Sequence, residues 1–169
     1  MKSHFAMLAG YNAWANGRVY DAAAQLSDPD YRADRGAFFK SMHGTLNHLL
    51  VADRLWMRRF TGEGEAPSRL DAILFDEFLE LRAAREAEDA RITVYIDGLA
   101  DERIAARFRY STITNPREIE QPLGPALTHF FNHQTHHRGQ AHAILTGLVR
   151  EAPVLDLLAY QRATGVGMS

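Results

Sequence analysis

Several classes of protein are excluded by what this sequence lacks. It has no cysteine, so disulfides, thiolate metal ligands and a cysteine nucleophile are all ruled out. No window approaches the ~18 uninterrupted apolar residues that a membrane-spanning helix requires. The first residues become polar too early to form the apolar centre of a secretory signal. We therefore expect a cytoplasmic protein with no membrane partner.

The chain also lacks an excess of positive charge. Its formal net charge is −2, and its arginines are scattered among acidic residues. Binding to a phosphate backbone needs a concentrated basic face, so we expect no nucleic-acid partner. The glycine-rich motifs of nucleotide-binding proteins and the G-x-S-x-G motif of serine hydrolases do not occur either, and nucleotide chemistry has no support.

What is present is helical periodicity. A length of 169 residues with 46% hydrophobic and 24% charged residues is typical of one globular domain, which we predict to span residues 1–169. Apolar residues recurring every three or four positions predict long helices. The predicted helices cover residues 5–26, 38–60, 71–98 and 122–150, with a loop at 27–36 and a short last helix at 154–163.

Residues 99–121 break this pattern. Alternation on both sides of Asn115 and Pro116 predicts a small hairpin or an extended crossover. Four long amphipathic segments without a convincing set of core strands favour an all-α fold, a four-helix bundle. The bundle would have a long crossover between its third and fourth helices and a short C-terminal helix.

The most unusual segment is residues 129–142, HFFNHQTHHRGQAH, which holds five of the eight histidines. Residues four apart on a helix are separated by about 40° around the axis and roughly 6 Å along it, so His133 and His137 would project side by side. Two such imidazoles can both reach one ion at about 2.0–2.1 Å. Unrelated surface histidines can have the same spacing, and a third ligand must come from elsewhere.

The second predicted helix carries His43 and His48. A separation of five residues places them about 140° apart, so at most one faces a given direction. His48 lies in NHLLVADRLW, among residues expected to face the interior, where it is either a hydrogen-bonded core histidine or a ligand. Three histidines from two helices would leave open positions on an ion. A zinc-protease mechanism is disfavoured because Gln134 occupies the position of the catalytic glutamate in HExxH.

The strings GTLNHLLVADRLWMRRF and NHQTHHRGQ, together with YNAWAN and PVLDLLAYQR, resemble the DinB family of small four-helix-bundle proteins. The resemblance implies an up-down-down-up topology, a homodimer, and a divalent metal held by one histidine of the second helix and two of the fourth. In this sequence those ligands are His48, His133 and His137. Three imidazoles suit zinc, nickel, iron and copper, and we place zinc and nickel first.

The resemblance also bears on function, because similar proteins include metal-dependent transferases and isomerases that use low-molecular-weight thiols. The first hypothesis is a thiol-dependent S-transferase acting on a small-molecule substrate. The alternatives are a metal-dependent hydrolase and a non-catalytic metal-binding stress-response protein, and no catalytic residue is predicted. Candidates for orienting a ligating imidazole are His43, His129, Asp53 and Asp156. His136 is interpreted as a neighbour of the ligands.

Overall fold

The structure, a computed structural model, describes residues 1–65, 67–113, 116–148 and 151–168. Four long helices and three short ones account for most of these residues, and one antiparallel hairpin completes the secondary structure. In chain order the elements are α1 (Lys2–Ala23), α2 (Asp28–Arg32), α3 (Met42–Thr61), α4 (Phe78–Asp97), α5 (Asp101–Ala105), β1 (Arg107–Ser111), β2 (Glu118–Pro122), α6 (Leu123–Thr146) and α7 (Leu157–Thr164).

Helix α1 runs antiparallel to α4. At one end of the pair, Lys2 Nζ donates a hydrogen bond to the carbonyl of Asp97, the last residue of α4, at 2.6 Å. At the other end, Asp21 pairs with Arg82, near the start of α4, at 2.7 Å. The two helices therefore span the same length of the bundle in opposite directions.

Helix α3 runs parallel to α4 and antiparallel to α6. Asp53 pairs with Arg85 at 2.7 Å, and further along both helices Phe60 stacks on Tyr95. The ring of Trp56 lies 5.2 Å from that of His129, near the start of α6, whereas His48 lies 4.3 Å from His137, nearer its end. These directions confirm the expected up-down-down-up bundle of α1, α3, α4 and α6.

Two connections shape the site. The long segment between α4 and α6 contains α5 and the β1–β2 hairpin, in which Arg109 is the partner of Glu120. A hairpin was one of the two interpretations of this region, although Asn115 lies outside the described residues. Because α3 and α4 are parallel, residues 62–77 must return along the length of the bundle, as the expected up-down-down-up topology requires. The segment between α4 and α6 instead joins two antiparallel helices.

The prediction that the third helix begins at Asp71 was wrong. The helix begins at Phe78, and the residues before it are held in an irregular conformation by α3. Asn47 Oδ1 accepts hydrogen bonds from the backbone N–H groups of Leu74 and Phe75, at 2.8 and 3.1 Å. A buried side chain from another helix thus outweighs the local helical pattern.

Other boundaries differ by a few residues. The predicted loop at 27–36 contains α2, because Ser27 Oγ accepts a hydrogen bond from the Asp30 N–H and caps a short turn. Helix α3 starts at Met42, four residues later than predicted. Ser41 caps it, and Lys40 before it has a left-handed φ of 67°. The fourth bundle helix is described to Thr146; its predicted end, Arg150, lies outside the described residues.

The interior of the bundle has a polar middle between two apolar ends. One apolar cluster includes Phe60 and Phe130, and the other includes Leu46 and Leu145. Between them lies a set of buried polar side chains that we call the polar layer: Asn12, Asn16, Asp53, Arg85, Asp89, Gln134 and Arg138. Within the described residues, no helix is long and apolar enough to cross a membrane.

Candidate metal centre

The antiparallel helices α3 and α6 bring three histidines together beside the polar layer. One nitrogen from each of His48, His133 and His137 lies within 4.8 Å of the others. The spacing of four residues on α6 places the last two side by side, with ring centroids 4.4 Å apart. These three side chains, the triad, could together hold one metal ion.

His48 is oriented for ligation by the chain that returns along the bundle. Its Nδ1 lies 2.7 Å from the carbonyl oxygen of Leu70. A carbonyl can only accept, so Nδ1 carries the hydrogen and Nε2 keeps a lone pair. Nε2 is buried, and no described residue makes a hydrogen bond to it. A buried nitrogen that keeps a lone pair and lies close to two further imidazole nitrogens fits a metal ligand.

His137 is oriented in the same way by a side chain one turn further along α6. Its Nδ1 lies 2.8 Å from Gln140 Oε1, an acceptor, and so carries the hydrogen. The amide nitrogen of Gln140 lies 3.4 Å from His136 Nε2, which favours this orientation of the amide. His136 is thus a neighbour of the ligands, in contact with Gln140 and with the ring of His137, whose centroid lies 4.7 Å from its own. Metal-binding histidines are commonly held by such contacts.

Burial keeps the triad in the form that binds metal. Desolvation lowers the pKa of His48 to about 4. It lowers the pKa of His133 to about 3, with a further contribution from the nearby His137. The pKa of His137 is also lowered, mainly by burial. At neutral pH all three imidazoles are uncharged and can donate a lone pair without first losing a proton.

An aromatic side chain closes one side of the triad. Phe39, just before α3, stacks on His48 with ring centroids 3.6 Å apart, and its edge approaches His137 at 5.5 Å. Sequence reasoning missed this residue. The only available signal was the pair of adjacent aromatics ahead of the helix. Phe39 restricts rotation of the His48 ring and keeps water from that side.

Through His133, the member of the triad that lines it, the triad borders a cavity of about 540 Å³, which is of ligand size. The walls come from α3, α6, the hairpin and the returning segment. The lining residues are Ala52, Leu55, Trp56, Arg59, Leu70, Thr112, Ile113, Arg117, Ile119, His129 and His133. Open positions on an ion held by the triad would therefore be within reach of a small molecule.

The two other histidines considered for orienting a ligand have different surroundings. His43 Nε2 lies 3.2 Å from the Phe75 carbonyl, away from the triad. His129 lies on the cavity wall, with its ring 5.8 Å from that of His133. Burial lowers the pKa of His129, and Arg59 lowers it further. His129 is therefore placed to meet a ligand in the cavity.

Neither candidate carboxylate reaches the triad. Asp53 is fully buried and pairs with Arg85 and with Gln134 in the polar layer. Asp156 is exposed at the start of α7. The groups that orient the imidazoles are instead Leu70 and Gln140. A backbone carbonyl has no sequence signature, and Gln140 was not among the candidates for this role.

Comparison with known proteins identifies the family of this chain. The family model described as DinB family matches residues 1–168, a range that contains the whole triad. "Protein DinB" of Bacillus subtilis (strain 168) is 26% identical over 150 residues, covering 84% of this chain and 82% of that protein. The match extends over nearly the entire chain, and the resemblance noted in the sequence is confirmed. The chain belongs to the DinB family.

Proposed function

We propose that this protein is a divalent-metal-dependent enzyme that transfers a small electrophile to a low-molecular-weight thiol. Zinc and nickel are the ions we place first, and His48, His133 and His137 are their ligands. The observation that carries the proposal is the unpartnered, buried Nε2 of His48, held toward two further neutral imidazoles at the edge of a cavity. No described residue makes a hydrogen bond to that nitrogen.

A divalent ion bound by three uncharged imidazoles keeps its full positive charge, so it would lower the pKa of a thiol or water in an open position. The protein itself contributes the neutral state of its ligands and the orientation of two of them. Phe39 shields one side of the triad, and the cavity on another side would hold the second reactant.

In the proposed reaction the thiol sulfur forms a bond to an electrophilic carbon. The bond from that carbon to its leaving group breaks, the leaving group keeps the electron pair, and the thiol proton passes to solvent or to the leaving group. No oxidant or reductant is needed. Because the chain contains no cysteine, the thiol must come from another molecule.

Hydrolysis by metal-bound hydroxide has less support. That reaction benefits from a carboxylate or imidazole that accepts a proton near the attacking water. None of the described residues that line the cavity is acidic. His129 is the remaining candidate base on the wall. The hydrolase and a protein that binds metal without turnover are therefore alternative outcomes of the tests below.

The first test measures metal content. Purified protein should carry close to one equivalent of divalent metal per chain, and His48→Ala and His133→Ala should each lose it. His142→Ala is the matched control, since this half-buried histidine lies on α6 outside the triad. Full occupancy in both triad variants would rule out the assignment.

The second test measures the reaction. Consumption of an alkylating electrophile should require both the metal and an added small thiol. A thiol-independent rate with an activated ester would favour the hydrolase instead. If metal is bound but neither assay shows turnover, the non-catalytic interpretation is favoured.

We also propose a homodimer with a small-molecule substrate and without nucleic acid or membrane partners, in the cytoplasm. Family membership and the low net charge support these statements. Sedimentation equilibrium of the full chain tests for the dimer. A monomer at micromolar concentration would contradict it.

A further inference from the structure

The cavity beside the triad has an unusual charge distribution. Two arginines, Arg59 and Arg117, line it, whereas none of the described lining residues is acidic. The metal proposed for the triad would add more positive charge at one end. By contrast, nine of the described arginines form ion pairs with aspartate or glutamate.

Arg59 lies on the cavity wall without a counter-ion. Its guanidinium lies over two adjacent aromatic rings, 4.6 Å from the ring centre of Trp56 and 5.0 Å from that of Tyr110. It forms no ion pair with a described residue, and its Nε is buried without a hydrogen-bond partner. Aromatic stacking satisfies the faces of a guanidinium but leaves its N–H edge available.

Arg117 is held at the cavity by the hairpin backbone. Its N–H donates to Thr112 Oγ1 at 3.0 Å, and its carbonyl accepts from the Thr112 N–H at 3.0 Å. Within the described part of the chain its guanidinium has no acidic partner. The contrast is with Arg107 and Arg109 on the same hairpin, which both pair with Glu120 at 2.8 Å. The hairpin thus neutralises the arginines away from the cavity and leaves the one beside it free.

The rest of the wall is largely apolar, with Leu55, Trp56 and Ile119 among its residues. Two planar cations above an apolar wall match a ligand that has a carboxylate at one end and an apolar body. A guanidinium and a carboxylate can form two parallel hydrogen bonds, whereas a heavily hydrated phosphate would gain little from the apolar surface.

We propose that this cavity binds a carboxylate-bearing small molecule, whose carboxylate pairs with Arg59 and Arg117 while its apolar part packs against Leu55 and Ile119. The inference rests on the proposed function, in that it assigns the charged end of a reactant to the cavity and the reacting end to the triad. His129, between the two, is within the same wall.

The test uses matched probes of one shape that differ in charge. Binding of 4-methylpentanoate and of uncharged 4-methylpentanamide is followed by ¹⁵N NMR titration of the full chain, both metal-free and zinc-loaded. A second pair, 3-mercaptopropionate and 2-mercaptoethanol, tests whether the reactant that carries the carboxylate is the thiol. A preference for the charged member of either pair supports the site and identifies which reactant carries the charge. No preference in both pairs would overturn it.

Variants then assign the preference to the arginines. Removing a charged hydrogen-bonding partner should weaken carboxylate binding about tenfold or more, so Arg59→Gln and Arg117→Gln should each reduce the affinity for the charged probe and leave the amide unaffected. Arg109→Gln, a hairpin arginine outside the cavity, should change neither. If Arg59→Gln fails to fold because Trp56 and Tyr110 lose their partner, the exposed Arg117 still carries the test.

Two results would contradict the inference. If both arginine variants kept the preference for the charged probe, these residues would not bind the carboxylate. If inorganic phosphate bound as tightly as 4-methylpentanoate, the choice of a carboxylate as the ligand group would be overturned. The titration of the metal-free protein separates this inference from the proposed function. A chain that prefers carboxylate but binds no metal refutes only the metal centre, and a metal-loaded chain without a preference refutes only the anion site.

Discussion

The polar layer and the triad are both buried polar clusters in the same bundle, yet their internal chemistry is opposite. In the polar layer, Arg85 lies between Asp53 at 2.7 Å and Asp89 at 3.0 Å. The side-chain amide of Asn16 donates to Asp89 at 3.0 Å, and its oxygen, Oδ1, accepts from Arg138. Cations and anions of the polar layer are thus placed against one another, although Gln134 Oε1 and Arg138 Nε have no hydrogen-bond partner among the described residues.

The triad has no such complement. Leu70 and Gln140 each hold a ring hydrogen of one histidine, so the Nε2 atoms of His48 and His137 are acceptors. A metal ion would accept one lone pair from each of the three imidazoles, whereas a proton would bury a charge. The comparison indicates how to tell structural from functional polar clusters. A cluster whose groups complement each other stabilises the fold, and one whose groups are alike needs something from outside.

The largest expected effect tests the internal pairing of the polar layer. Arg85→Met would leave Asp53 and Asp89 buried without their cation, and we expect the free energy of unfolding to fall by about 3–5 kcal/mol, measured by urea denaturation. Arg82→Met, on the same helix, removes only partly exposed ion pairs and should cost about 1 kcal/mol or less. Equal losses in the two variants would show that the polar layer does not depend on its internal pairing.

The next effect tests whether metal binding by the triad depends on the contacts that orient its imidazoles. Gln140→Met removes the acceptor that holds His137 Nδ1–H, so metal affinity should weaken by about 10–100-fold, while the urea midpoint of the metal-free protein changes little. Competition with a chromophoric chelator measures the affinity. An unchanged affinity would mean that packing alone orients the His137 ring.

Acid should affect the metal-free triad more moderately. An unfolded histidine has a pKa of about 6.5, whereas burial lowers that of His48 to about 4 in the folded protein. Below about pH 6.5 the unfolded state therefore binds more protons than the folded state, and stability falls as the pH drops toward 4. The urea midpoint of the metal-free chain should be lower at pH 5 than at pH 7. His48→Gln should reduce that difference, and an equal difference in both proteins would contradict the cause assigned here.

The smallest effect is expected for His136. This residue is exposed and touches the triad only at its edge, through Gln140 and the outer side of the His137 ring. His136→Ala should leave the metal stoichiometry unchanged and weaken affinity less than Gln140→Met does, in the same chelator assay. Loss of the metal would make His136 a ligand and would remove the distinction between the triad and its neighbours.

Much of this arrangement follows from the sequence. Helical periodicity predicted the four long helices, because burying one face of each requires apolar residues every three or four positions. The spacing of His133 and His137 predicted their proximity, since a helix fixes the angle between residues four apart. His48 as the third member came from the resemblance to a family, because no local rule relates a residue on one helix to two on another. The ligand role of all three stays a prediction.

Tertiary structure alone decided what surrounds those histidines. The pairing of Asn47 with residues 74–75 overrode a helical pattern and produced the long segment that carries Leu70 to His48. The contact of Phe39 with the triad, the cavity wall and the two unpaired arginines also depend on packing between distant segments. Sequence spacing specifies angles within one helix, but the tautomer of a histidine and the charge of a cavity depend on atoms that only folding brings within hydrogen-bonding distance.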